Sequence, residues 1–158
     1  MQFVWMSLMT LGIVAADQWF KLWVVANIPL YGTLPGINGI FHLTYVQNTG
    51  AAFSSFQGMQ WLFALVFLLF TAVVIWEFSG KRMPFTNLER WLIAAIYAGA
   101  LGNMIDRVRL GYVVDMFSLD FVNFAVFNIA DCFITCGCIA LVAHLIFCNK
   151  AFWKEEKK

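Results

Sequence analysis

Gly99-Ala100-Leu101-Gly102-Asn103-Met104-Ile105-Asp106-Arg107, followed by Val113-Val114-Asp115 and Phe127-Asn128-Ile129-Ala130-Asp131, sets three carboxylates, two amides and an arginine in otherwise apolar sequence. Each ionisable group at the centre of a membrane helix costs roughly 2.5–3.5 kcal/mol on insertion scales, so such groups mark function by default. The surrounding chain is of membrane type. Of its 158 residues, 62% are hydrophobic and 12% charged, and the mean hydropathy is +0.78. A soluble domain averages about 45–50% apolar and about 25% charged. The length predicts one domain spanning residues 1–158. With a net charge of +1 and no basic run, nothing points to nucleic acid.

A span needs about 20 mostly apolar residues. Four stretches supply them, at about 3–26, 59–78, 88–108 and 123–148. The first has no basic n-region and no small-residue cleavage site, so it reads as a retained helix rather than a leader. Lys81, Arg82 and Arg90 lie between the second and third stretches, and Lys150, Lys154, Lys157 and Lys158 follow the fourth. Basic loops stay in the cytoplasm, which puts both termini there. Arg107 and Arg109 then fall on the outer side, and the site must account for one of them.

Two segments face outward in this topology, 27–58 and 109–122. The run 39–47 alternates and is rich in aromatic and β-branched residues, so it predicts a strand or two. The class is therefore an all-α membrane protein of four helices with a small β element on the outer face.

Helices rise about 1.5 Å per residue, which sets the depth of each polar group. Asp17 falls ~9 Å below the outer boundary, Asn103 at about the same level, and Asp131, eight residues into the fourth stretch, ~12 Å deep. Groups from three helices thus meet at one level. Asp17 and Lys21, four apart, share a face as an ion pair would. Gly99, Asn103 and Asp106 follow at i, i+4 and i+7, with the glycine permitting close helix approach. Asp106 reads as a partner of Arg107 or a helix-end group.

His42 and His144 lie far apart in the chain, and no serine has a placed histidine, which disfavours a nucleophilic triad. No histidine pair has metal-ligand spacing, though Asp106, Asp115 and Asp131 form an oxygen set that a hard cation would accept. The cysteines Cys132, Cys136, Cys138 and Cys148 contain no Cys-x-x-Cys pair and read as buried packing residues of helix four. That placement argues against a thiol oxidoreductase. Two carboxylates are the most economical catalytic unit, because close carboxyls share a proton and so supply a base and an acid together. Asp115 and Asp131, both read at helix–loop junctions where water enters, are the best pair. The competing reading is a small proton-coupled transporter, since buried Asp and Lys also build proton relays. A transporter usually shows two related halves and a midplane site, and this sequence shows neither.

The ordered blocks closely resemble the lipoprotein signal peptidases, or signal peptidase II, of bacteria. They are Asp17-Gln18-Trp19-Phe20-Lys21, Asn48-Thr49-Gly50-Ala51-Ala52-Phe53, the Gly99–Arg107 block, Gly111-Tyr112-Val113-Val114-Asp115 and Phe127–Asp131. The resemblance implies an aspartyl endopeptidase of the bacterial cytoplasmic membrane, with its site toward the outer leaflet. Such an enzyme removes the signal peptide just before a diacylglyceryl-modified cysteine and is inhibited by the cyclic peptide globomycin. It also implies no cofactor and no metal. Asp115 and Asp131 would be the dyad. Asp17, Lys21, Asn48, Gly50, Asn103, Asp106, Arg107, Asn128 and Ala130 would shape the site, and the segment 27–58 would form a β-cradle.

Overall fold

The computed structural model describes residues 1–50, 58–80 and 83–153. Ala51, Ala52, Phe53, Lys81, Arg82, Lys154, Lys157 and Lys158, used above, lie outside these. The order is α1 (Gln2–Asn27), β1 (Thr33–Ile37), β2 (Phe41–Asn48), α2 (Gln60–Gly80), α3 (Asn87–Leu110), β3 (Val113–Leu119) and α4 (Ile129–Phe147). Among the described residues, α1, α2 and α4 are long and apolar enough to cross a membrane. The third stretch, α3, is not among them. Its sequence carries Glu89, Arg90, Asp106, Arg107 and Arg109, and it tolerates them because it is packed against α1, α2 and α4.

Close approach of α3 and α4 follows from Gly99. A Cβ there would lie 2.4 Å from the Ala130 carbonyl oxygen and 2.9 Å from Ile134 Cγ1. Capping chemistry sets both ends of α3. Thr86 and Glu89 form a reciprocal capping box at its start. Gly111, at φ 80°, closes its end by donating its N–H to the Arg107 carbonyl.

The strands form one antiparallel sheet in the order β1-β2-β3. Val114 and Met116 of β3 and Tyr45 of β2 pack on Val24 of α1 and on Ile28, its C-cap, which seats the sheet on the bundle. The expected strands at 39–47 are present as β2, with β1 before it. The sheet reaches beyond 27–58, because its third strand, β3, comes from the segment expected at 109–122.

Helix four also begins later than its apolar content suggests. Residues 123–128 are not helical, and Phe127 bridges to Phe117 of β3. Asn128 caps α4, so Asp131 sits in the first turn, about 3 Å along the helix rather than ~12 Å. Asp115 lies inside β3, not at a helix–loop junction.

At the end of the bundle away from the sheet is a second buried polar network. Glu77 of α2 pairs with Arg90 at 2.9 Å. Glu89 bonds His144 at 2.8 Å and Asn149 at 2.7 Å, and Arg90 donates to the Phe85 carbonyl. These bonds tie together the ends of α2, α3 and α4 away from the sheet.

Candidate active site

The site is built from α1, β2, α3, β3 and the start of α4. Lys21 on α1 is buried between two carboxylates, 2.9 Å from Asp17 Oδ2 and 2.9 Å from Asp106 Oδ2. Its remaining contact is to Asn103 Oδ1 at 3.0 Å. The spacing of Asp17 and Lys21 correctly predicted their pairing. The assignment of Asp106 to Arg107 is overturned. Asp106 turns to Lys21, to Gln18 Nε2 at 2.9 Å and to the Val114 N–H at 3.1 Å. Asp17 accepts the Ala130 N–H at 2.9 Å, so the same carboxylate that holds Lys21 also positions the start of α4. Gln18, absent from the predicted site residues, bonds Asp106, the Gly102 carbonyl and Arg109. Its only sequence signal is its place inside the first block.

Above this charged base lie the two candidate catalytic groups. Asp131 Oδ1 accepts from Asn103 Nδ2 at 2.7 Å, and its Oδ2 accepts the Asn128 N–H at 3.1 Å. Asp115 Oδ2 accepts from Asn48 Nδ2 at 2.9 Å, and its Oδ1 from Asn128 Nδ2 at 2.6 Å. Asn128 is fully buried and touches both groups, since its own Oδ1 accepts the Asp131 N–H at 2.9 Å. One amide therefore fixes the two aspartates relative to each other. Each of the four carboxylate oxygens is held by an N–H donor, which leaves the faces turned to the cavity for a further partner. Burial raises the Asp115 carboxyl to about 7, with the charge of Asp131 adding to the shift and the bonds from Asn48 and Asn128 opposing it.

Both aspartates, with Asn48, Gly50, Asn103 and Arg107, line one cavity of about 380 Å³. Its other walls are mainly apolar, among them Val113, Leu119 and Phe127. Arg107 donates to the Gly50 carbonyl at 2.9 Å and lies 4.3 Å over the Phe63 ring, so the site accounts for it. Asn48 Oδ1 accepts the Gly50 N–H at 2.9 Å, which fixes that turn. A second, apolar cavity of about 510 Å³ runs between α2 and α3 and shares Asn103, Arg107 and Asp131 with the first.

The cysteines depart from their predicted burial. All four are exposed on the outside of α4 or just beyond it, and Cys132 and Cys136 line the first cavity. Their position therefore does not exclude thiol chemistry. Among the described residues, no group of three His, Cys, Asp or Glu side chains converges as a metal centre would require.

The family model for signal peptidase (SPase) II matches residues 9–147. The chain belongs to the signal peptidase II family. It is 45% identical over 152 residues to the lipoprotein signal peptidase of Streptococcus agalactiae serotype Ia, covering 94% of this chain and 92% of the relative. It is 42% identical over 149 residues to that of Streptococcus thermophilus strain CNRZ 1066, covering 92% and 90%. A solved bacterial membrane enzyme superposes with a TM-score of 0.82 at 26% identity, over 97% of this chain and 93% of that one. These likenesses make the chain a multi-pass membrane protease, and they lend the transporter and oxidoreductase alternatives no support.

Proposed function

We propose that the chain is an aspartic endopeptidase that removes signal peptides from prolipoproteins, cutting before a diacylglyceryl-modified cysteine, with Asp115 and Asp131 as its catalytic pair. One observation carries this reading. A buried carboxylate on β3, Asp115, and a partly buried one at the start of α4, Asp131, share a single buried amide, Asn128, and open onto the same cavity. Asp115, with its raised affinity for protons, serves as the acid. Asp131, the other carboxylate on the cavity, serves as the base. Asp131 takes a proton from water as the water oxygen bonds to the scissile carbonyl carbon, and Asp115 donates its proton to the carbonyl oxygen. Collapse of the resulting diol breaks the C–N bond as the proton on Asp131 passes to the departing amine and one diol hydroxyl returns its proton to Asp115, which restores the starting state.

The other site residues hold this arrangement. Asp17, Lys21 and Asp106 form a buried charged base that sets α1, α3 and the start of α4, with Ala130 as the contact point on α4. Asn48, Gly50, Asn103, Arg107 and Asn128 orient the carboxylates and the cavity wall. The apolar cavity beside Asp131 takes the acyl part of the substrate. With α3 as a fourth span and both termini cytoplasmic, the sheet and the dyad lie at the outer face of the bacterial cytoplasmic membrane, where a lipid-modified cysteine presents its scissile bond.

The test uses the purified chain in lipid, with one precursor prepared in diacylglyceryl-modified and unmodified forms. The modified form is cut on the N-terminal side of the cysteine, as product mass shows, globomycin stops the reaction, and a chelator does not. Equal cutting of the unmodified form refutes the substrate assignment. Loss of activity with chelator refutes the metal-free dyad.

A further inference from the structure

We propose that Cys132 and Cys136 form a covalent modification site for apolar, uncharged thiol-reactive electrophiles, and that one adduct there closes the catalytic cavity. Cys132 directly follows Asp131, and Cys136 lies one helical turn further along the same face of α4. Both are free, exposed thiols, and both line the cavity of about 380 Å³ that holds Asp115 and Asp131. Its neighbouring walls are Leu119, Phe124, Val126 and Phe127, so an apolar reagent partitions toward the thiols while a charged one does not. Cys138 and Cys148 are also exposed but are not part of that lining, which makes them internal controls.

The reaction needs no oxidant and has no leaving group. The thiolate sulfur bonds to one alkene carbon of a maleimide, the C=C π bond breaks, and a proton is taken up at the neighbouring carbon. An N-aryl maleimide would add a rigid ring inside the cavity that Asp115 and Asp131 also line. The inference rests on the dyad reading only for its effect on cutting, because adduct formation at these thiols does not require the dyad.

The test treats the intact chain in lipid with N-phenylmaleimide and follows two readouts together, the adduct on each cysteine by peptide mass spectrometry and the cleavage rate. Cutting is expected to fall in proportion to adduct at Cys132 and Cys136. Lipidated precursor kept in excess, at ten times its half-saturating concentration, should slow labelling of these two thiols about elevenfold and leave Cys138 and Cys148 unchanged. The Cys132→Ser/Cys136→Ser chain should hold its own untreated rate after exposure. Adducts confined to Cys138 and Cys148, undiminished cutting at full occupancy of Cys132 or Cys136, or labelling that precursor does not slow each overturns the proposal. The protection measurement uses the parent chain and so does not depend on how the variant folds. The dyad reading stands or falls separately, on the aspartate variants below.

Discussion

Gly99→Ala adds one methyl group to a helix, where alanine is intrinsically favoured over glycine by about 1 kcal/mol. At this position the gain is outweighed. The new Cβ would sit 2.4 Å from the Ala130 carbonyl oxygen, a backbone atom that cannot rotate away, and 2.9 Å from Ile134. Ordinary contact begins near 3.4 Å, so the start of α4 must move off α3 by about 1 Å. Overpacking of this kind costs about 1–3 kcal/mol. The larger effect falls on catalysis. Ala130 immediately precedes Asp131, whose 2.7 Å bond to Asn103 spans the gap between these helices. A misplacement of about 1 Å can lower a rate about a hundredfold. The expected outcome is therefore a fall in kcat of that order with a much smaller change in KM, read from cleavage of a lipidated precursor at saturating and limiting concentrations. Gly12→Ala is the control. It makes the same chemical change in α1, where nothing lies within 4 Å of the added atom, and should cut at the parent rate. A Gly99→Ala chain with kcat within about threefold of the parent refutes the claim that close contact of α3 and α4 positions Asp131.

Three further outcomes follow from the same geometry. Because the folded Asp115 keeps its proton up to about 7 while a free carboxyl loses it near 4, raising the pH through neutrality removes that proton. Cleavage should therefore decline as pH rises past about 7, whereas the contribution of this group to stability falls earlier, as pH rises from about 4 to about 7; Asn48→Ala, which deletes a bond favouring the carboxylate, should move the decline in the pH–rate profile to higher pH. Lys21→Met leaves Asp17 and Asp106 facing each other without a cation and should cost about 3–5 kcal/mol in thermal unfolding, with Lys21→Met/Asp106→Asn losing less than the sum of the two single changes. Glu89→Ala breaks the network at the far end of the bundle and should lower stability by a similar amount, about 3–5 kcal/mol, while the kcat of the molecules that remain folded stays near the parent value.

Local spacing carried much of the site in advance. The Asp17–Lys21 pair and the close packing at Gly99 both follow from helical geometry within one helix. Features that depend on tertiary partners were not legible. The apolar run before Asn128 reads as helix by composition, since short apolar stretches do not distinguish strand from helix. A bridge to β3 and a capping amide decide the matter. Strand β3 pairs with β2 about seventy residues earlier, beyond any local pattern. Two further signals are in the sequence. Adjacent helical residues do not face each other, which separates Asp106 from Arg107. Thr86-x-x-Glu89 has the spacing of a capping box, which marks the start of α3 and one anchor of the network at the end of the bundle away from the sheet.

The measurement closest to the centre of the account is precursor cleavage by Asp115→Asn and by Asp131→Asn, each chain first shown to be folded by thermal unfolding in lipid. Neither should release product above background, because each change removes half of a shared acid and base. Cutting by either folded variant at a rate near the parent would contradict the two-aspartate mechanism.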